Sequence, residues 1–184
     1  MSLTSRIPTP ATIDAAPAAS QPLLEAVKKQ IGSVPNLFRI VASSPATLEG
    51  YLGLNAALGK GKLDARTRNR IAMVVAEENG CDYCLAAHTY LGKNVAKMDD
   101  AELTANRAGE SADPKAQAAL QFAAKLVRAR GHVDAADVEA VKSAGYDDGQ
   151  VLEILAHVAL NTLTNYVNSA LATEVDFPRV APRG

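Results

Sequence analysis

The chain has 184 residues, which is enough for one domain with a hydrophobic core of its own. Hydrophobic residues make up 48% of it, but only 4% are aromatic and there is no Trp, a balance that favours closely packed helices over a sheet. The formal net charge of −1 gives no basis for binding to nucleic acid or to an anionic membrane.

The ends of the chain differ from its middle. Residues 1–22 carry four prolines and show no hydrophobic period, which predicts an extended N-terminal arm. Such an arm either lies across a neighbouring subunit or is disordered. Residues 23–178 are predicted to form a single all-helical domain, and residues 179–184 a C-terminal tail.

Hydrophobic periodicity, capping residues and helix breakers predict nine helices between these ends. Asp64 is predicted to cap the fourth helix, and Asn79-Gly80 to separate it from the fifth. No strand-like alternation of useful length is found. The predicted helices cover residues 23–31, 37–41, 46–58, 65–78, 81 or 82 to 97, 100–108, 115–129, 135–144 and 148–173.

The last predicted helix carries two stripes at helical spacing. One is apolar and is predicted to face the core. The other is polar and is expected to be solvated, although a polar stripe can also line a subunit interface or a wet pocket. The apolar stripe contains Leu152, Leu155, Ala159, Leu163, Tyr166 and Ala170, and the polar stripe contains His157, Asn161, Asn165 and Asn168.

The fifth predicted helix carries the candidate reactive residues. Cys81, Cys84 and His88 stand at i, i+3 and i+7, so they share one face of the helix. Leu91 and Val95 continue that face, which predicts that the reactive groups are shielded from bulk water. The arrangement therefore indicates a site and not a solvated surface.

Two features of this face favour a thiolate, the reactive form of cysteine. Cys81 lies at a helix N-terminus, where free amides and the helix dipole stabilise an anion. Cys84 has His88 one turn later, where a base can take its proton. Burial opposes both effects. We assign Cys84 to the attack on peroxide and Cys81 to resolution of the sulfenic acid as a disulfide.

Other interpretations of the two cysteines remain open. A zinc site would need a fourth ligand, which His132 or His157 would have to supply. Two buried, inert cysteines are a further alternative, whereas a thioredoxin-like site would need a βαβ pattern that is absent. His132 is more simply a loop residue after Gly131, and His157 a packed histidine.

No signal peptide is visible at the start of the sequence. The longest clean apolar run, Ile71 to Ala76, is far shorter than the roughly 20 residues that a membrane helix requires. We therefore expect a cytoplasmic protein. In a reducing compartment a closely spaced cysteine pair is more often redox-active or metal-binding than structural.

The central segment RNRIAMVVAEENGCDYCLAAHTYLG resembles the alkyl hydroperoxidase D and carboxymuconolactone decarboxylase superfamily. The likeness covers about residues 31–178 and is strongest with the peroxidase-related branch. It implies an all-α helical bundle assembled into homo-oligomers, often trimers or hexamers. It also implies peroxide reduction by Cys81 and Cys84 with His88 in a proton relay, a lipoylated protein as electron donor and a peroxiredoxin as a possible acceptor.

Two positions depart from the family pattern. The family commonly has Glu twelve residues before the first cysteine, where this chain has Asn69, which cannot shuttle a proton. Glu77 is a candidate substitute acting through a water, or else a solvated acid at the helix end. Tyr83 stands where some members carry a second histidine. These departures are compatible with thiol redox chemistry but count against efficient peroxidase turnover.

The sequence thus predicts an all-α, homo-oligomeric thiol peroxidase or disulfide oxidoreductase with no cofactor or metal besides a redox-active Cys81–Cys84 disulfide. The alternatives are a lactone decarboxylase, whose chemistry needs acid and base residues and a carboxylate-binding pocket in place of two thiols, and a non-catalytic redox sensor. Peroxide and a dithiol reductant are the expected partners.

Overall fold

A computed structural model describes residues 5–180 of the chain, and predictions about residues 1–4 and 181–184 lie outside this range. Nine α-helices lie within it, in agreement with the predicted all-α class. A short 3₁₀ turn, Ala18–Ser20, precedes them. The helices are α1 (Gln21–Ile31), α2 (Asn36–Val41), α3 (Pro45–Leu58), α4 (Ala65–Glu78), α5 (Asp82–Asn94), α6 (Asp100–Arg107), α7 (Pro114–Arg128), α8 (Ala135–Ser143) and α9 (Asp148–Leu171).

Most boundaries fall within one or two residues of the prediction, and two differences have clear causes. α1 begins at Gln21, inside the predicted arm, because Pro22 occupies the first turn, where a missing N–H costs nothing. α5 ends at Asn94, three residues before the predicted end. Lys97 adopts a left-handed φ of 54°, which cannot continue an α-helix.

The described part of the N-terminal arm lies on its own chain. The backbone N–H of Arg6 donates to the carbonyl of Leu171 at the end of α9. Ile7 and Ile13 pack against the same hydrophobic cluster as the buried Ala16. Residues 5–17 are therefore irregular in structure but fixed by contacts within the chain.

α4 is the central helix, packed against α5, α7 and α9. Its capping is as predicted, because the Asp64 side chain accepts from the backbone N–H of Thr67 at 2.9 Å. Ile71, Met73 and Val74 are fully buried, and each such side chain contributes about 1.5–3 kcal/mol to folding. No helix between residues 5 and 180 combines enough length with enough apolar character to span a bilayer.

The prediction for the two faces of α9 was wrong. The four largest members of the stripe expected in the core, Leu152, Leu155, Leu163 and Tyr166, are exposed by 37–66%. The four polar side chains expected in solvent, His157, Asn161, Asn165 and Asn168, are exposed by at most 7%. The polar face of α9 is thus turned inward, towards α4 and α5.

Candidate active site

The break between α4 and α5 sets the position of the first cysteine. Gly80 adopts a left-handed φ of 63°, a conformation that glycine adopts without steric cost. The backbone N–H of Cys81 then closes the end of α4 by donating to the carbonyl of Ala76 at 2.9 Å. Cys81 becomes the N-cap of α5, and its sulfur accepts from the backbone N–H of Cys84 at 3.4 Å.

The two cysteines are both free thiols and both buried, but they differ in acidity. The neighbouring Cys84 thiol and its backbone N–H stabilise the Cys81 thiolate and, against the effect of burial, lower the pKa of Cys81 to about 7. The pKa of Cys84 is raised, first by this interaction with Cys81 and then by burial. The pair therefore holds one negative charge more readily than two.

The buried polar face of α9 forms the wall behind Cys84. The side-chain amide of Asn168 donates to Cys84 Sγ at 3.2 Å. Asn165 is held beside it, because the amide of Asn79 donates to its Oδ1 at 2.9 Å. A wet pocket was only the alternative for this stripe, and a role beside the cysteines was not predicted. Its signal was the composition of the stripe, which is polar but contains no residue charged at neutral pH, unlike an ordinary solvated face.

His88 is held by Asn69 from α4. The Asn69 amide nitrogen donates to the backbone carbonyl of His88 at 3.1 Å, which leaves its Oδ1 facing His88 Nδ1, also at 3.1 Å. A carbonyl oxygen only accepts, so the proton of the neutral ring lies on Nδ1 and Nε2 keeps its lone pair. Burial lowers the pKa of His88 to about 4, so the ring is neutral at pH 7.

Glu77 and Tyr83 serve other parts of the fold. The Glu77 carboxylate accepts from Arg107 Nε of α6 at 2.6 Å, and both side chains are mostly buried. The Tyr83 hydroxyl accepts from the backbone N–H of Leu37 at 3.0 Å and so fixes the start of α2. Asn69 contacts His88 directly, whereas the hydrogen bonds of Glu77 and Tyr83 go to groups outside the cysteine–histidine face.

An open cavity of about 890 Å³ lies beside α5. Cys84, His88 and Asn69 line it, whereas Cys81 does not. Its walls come from α1, α3, α4, α5 and α9 and are largely apolar. Members of the apolar wall are Leu23, Val27, Leu52, Ala87, Leu91, Val95 and Leu160.

The histidines considered as zinc ligands lie away from the thiols. His132 is exposed in the turn between α7 and α8. His157 is buried on α9, eleven residues before Asn168 in the sequence. Among residues 5–180, no group of three or more His, Cys, Asp or Glu side chains is arranged to hold a metal ion.

Comparison with known sequences finds a family match in the middle of the chain. Residues 45–125, which include Asn69, Cys81, Cys84 and His88, match the model described as "Carboxymuconolactone decarboxylase family". An uncharacterized protein of Haemophilus influenzae is 38% identical over 63 residues, which are 34% of this chain. The chain spans 50% of the length of that curated relative.

Solved structures resemble the chain over nearly its whole length. An alkylhydroperoxidase AhpD core, described as an uncharacterized peroxidase-related protein from Ralstonia eutropha JMP134, has a TM-score of 0.83 and 27% identity, covering 94% of this chain and 92% of that one. A peroxidase-related protein from Silicibacter sp. TM1040 has a TM-score of 0.79 and 28% identity, covering 96% and 92%.

A third solved structure with a similar fold is that of a debrominase. The debrominase Bmp8 in complex with 2,3,4-tribromopyrrole has a TM-score of 0.76 and covers 94% of both chains. At 19% identity this likeness shows the fold alone.

Proposed function

We propose that the protein is a thiol peroxidase, starting from the match of residues 45–125 to the carboxymuconolactone decarboxylase family and from the alkylhydroperoxidase-like fold. The observation that carries the proposal is the shared cavity of Cys84 and His88. Cys84 supplies a nucleophilic sulfur, and His88 supplies a neutral imidazole one helical turn away.

The first step is attack of Cys84 on the peroxide. His88 Nε2 takes the proton of the Cys84 thiol, and the thiolate attacks the distal oxygen of ROOH. The O–O bond breaks, Cys84 becomes a sulfenic acid, and the leaving alkoxide takes the proton back from His88 to give ROH. The raised pKa of Cys84 and the pKa of His88 near 4 make the first proton transfer uphill, whereas the return of the proton from His88 to the alkoxide is favourable.

The second step is resolution by Cys81. Its sulfur attacks Cys84 Sγ, the sulfenic hydroxyl leaves with the proton of Cys81 as water, and the Cys81–Cys84 disulfide forms. An external dithiol then reduces the disulfide to two thiols. A lipoylated protein in a reducing cytoplasm would supply this dithiol. The sum is ROOH plus two thiols giving ROH, water and a disulfide.

Asn69 shapes the proton relay. It orients His88 by two hydrogen bonds, as a carboxylate at that position would by one. It offers no negative charge to the imidazolium that forms during attack, so the charged state is stabilised less. We therefore expect slower turnover than a carboxylate at this position would allow.

We also propose that the protein is a homo-oligomer. The exposed apolar stripe of α9 supports this, because four large apolar side chains side by side on one helix are unusual on a monomer surface. Replacing Leu163 and Tyr166 together by Lys should dissociate the assembly, since charges at a hydrophobic interface are strongly disfavoured. Sedimentation at micromolar concentration measures this, and a wild-type monomer would contradict the proposal.

Peroxide consumption in the presence of dihydrolipoamide tests the activity. The wild type should turn over many times, and Cys84→Ser should lose at least about 10³-fold in rate because the nucleophile is gone. Full activity of Cys84→Ser would refute the assignment. Oxidation of one equivalent without turnover would identify a redox sensor, and unreactive thiols would favour the lactone decarboxylase.

A further inference from the structure

A second polar group lines the same cavity away from the thiols. It consists of Arg68 on α4 and His157 on α9, which lie close enough that the positive charge of Arg68 adds to the effect of burial in lowering the pKa of His157. Glu153 acts on this pKa in the opposite direction. The proposed peroxidase steps use neither Arg68 nor His157.

His157 is buried without a hydrogen-bond partner for its ring. The residue is 4% exposed, and its Nε2 contacts no donor or acceptor among the described residues. An unsatisfied buried polar atom is costly and uncommon in folded proteins. His157 belongs to the cavity wall, and the described chain offers this nitrogen no partner.

Arg68 is a cation held in place by backbone carbonyls and not by an ion pair. Its Nη1 donates to the carbonyls of Gly59 at 3.0 Å and Leu63 at 3.1 Å, which fixes the guanidinium. No carboxylate oxygen among residues 5–180 lies within 4 Å of it. Since one Nη1 accounts for both bonds, the remaining N–H groups of the fork are available to an anion.

The other polar groups on this part of α9 are satisfied within the helix. The Asn161 amide donates to the carbonyl of His157 at 2.7 Å, and the Thr164 hydroxyl donates to the carbonyl of Asn161 at 2.9 Å. Among His157, Asn161 and Thr164, the three polar residues of α9 that line the cavity, His157 is therefore the one left without a side-chain hydrogen bond. Apolar side chains, including Leu91 and Leu160, line the cavity as well.

The rise of α9 gives the distance along the helix from His157 to the residue that contacts the Cys84 thiol. Asn168, which donates to Cys84, follows His157 by eleven residues on α9. At a rise of 1.5 Å per residue, the two positions are about 16 Å apart along the helix axis. A ligand that reaches both ends must therefore be elongated and apolar between them.

We propose that Arg68 and His157 bind the carboxylate head of an apolar organic acid, whose hydroperoxide group is thereby presented to Cys84. The substrate class is a carboxylate-bearing organic hydroperoxide, and this extension rests on the proposed peroxidase function. One guanidinium and one imidazole match a singly charged carboxylate, whereas a dianionic phosphate would remain under-neutralised in an apolar cavity.

Binding of decanoate to the reduced protein, measured by calorimetry with decanol as the neutral probe, tests the site without any peroxide. The wild type should bind decanoate more tightly than decanol. Arg68→Gln should weaken decanoate binding at least about tenfold, because it removes a charge-assisted contact, and should change decanol binding little. Arg66→Gln, which removes an equal charge from an exposed position on the same helix, should leave both unchanged.

His157→Leu is the second variant, since Arg68→Gln also removes two bonds that hold the loop before α4. It should weaken decanoate binding while the protein stays folded, because it removes a nitrogen that has no protein partner. Equal affinity for decanoate and decanol, no decanoate binding, or wild-type decanoate affinity in folded Arg68→Gln and His157→Leu would overturn the proposal. If the wild type binds decanoate as expected but does not turn over peroxide, the peroxidase function alone would be overturned.

Discussion

The two ends of the cavity each present a histidine, and the two rings differ in their partners. Burial is the main cause that lowers the pKa of both His88 and His157 to about 4, so both are neutral at pH 7. At the thiol end, His88 Nδ1 faces Asn69 Oδ1 at 3.1 Å. At the arginine end, His157 Nε2 has no partner among the described residues.

The difference shows that burial sets the charge of a histidine, while its hydrogen bonds set what it can do. Asn69 fixes the His88 tautomer and leaves a lone pair on the cavity side, which is the arrangement of a base. His157 lies beside a cation and lacks a partner, which suits a ligand contact. Each of the following experiments changes one side of this comparison.

The largest expected effect is at His88. His88→Gln should slow hydrogen peroxide turnover on the order of 10²-fold, because glutamine cannot accept the thiol proton. His132→Gln is the matched control, since His132 is exposed in a turn outside the cavity, and its rate should equal that of the wild type. Steady-state rates at pH 7 measure both. Equal rates for the two variants would remove the base role from His88.

The acidity of Cys81 provides the next test. Because the Cys84 thiol is the main cause of the low pKa of Cys81, Cys84→Ala should raise that pKa from about 7 towards the ordinary value of about 8.5. Cys84→Ser keeps a hydroxyl donor and should raise it less. Alkylation rates of Cys81 against pH report the midpoint. A midpoint shared by the two variants would contradict the stabilisation of Cys81 by its neighbour.

Asn69→Asp tests the partner of His88. A carboxylate facing Nδ1–H favours the imidazolium, so the pKa of His88 should rise above about 4, and nuclear magnetic resonance titration measures it. The variant loses the amide bond to the His88 carbonyl, which costs about 1 kcal/mol of unfolding free energy. An unchanged His88 pKa would show that Asn69 does not control the ring.

The smallest expected effect is on stability at the arginine end. His157→Leu should raise the free energy of unfolding by about 1 kcal/mol, because an unsatisfied buried nitrogen is removed. The folded pKa of His157 lies below its unfolded value of about 6.5, so wild-type stability falls as pH drops from there to about 4. In denaturant titrations, the free energy of unfolding of His157→Leu should fall less over this pH range than that of the wild type. Destabilisation at pH 7 would mean that the ring is satisfied in the native state.

Local signals were sufficient to predict the geometry around the thiols. Asp64 and Asn79-Gly80 define the ends of α4 through short-range capping and a left-handed glycine, which act independently of the rest of the fold. Of the three residues predicted to share one face of α5, Cys84 and His88 line the cavity, whereas Cys81 is the N-cap and does not line it. Asn69, singled out by its place twelve residues before Cys81, forms two hydrogen bonds with His88.

The faces of α9 could not be predicted in the same way. Periodicity reveals two stripes but does not say which one meets the core, and hydrophobicity favoured the wrong one. α9 contains no Lys or Arg over its 24 residues, so neither face has the composition of ordinary protein surface. Pairings such as Asn168 with Cys84 join residues 84 positions apart, and only the tertiary fold brings them together.

The central claim is that Cys81 and Cys84 form a redox pair reached from the cavity at Cys84. Intact mass and free-thiol count after one equivalent of peroxide, followed by dihydrolipoamide, test it most directly. We expect loss of both thiols with a mass decrease of two hydrogens, complete reversal by the dithiol, and in Cys81→Ser a sulfenic acid on Cys84 instead. Thiols that remain unreacted, or a sulfenic acid found on Cys81 in Cys84→Ser at the wild-type rate, would contradict it.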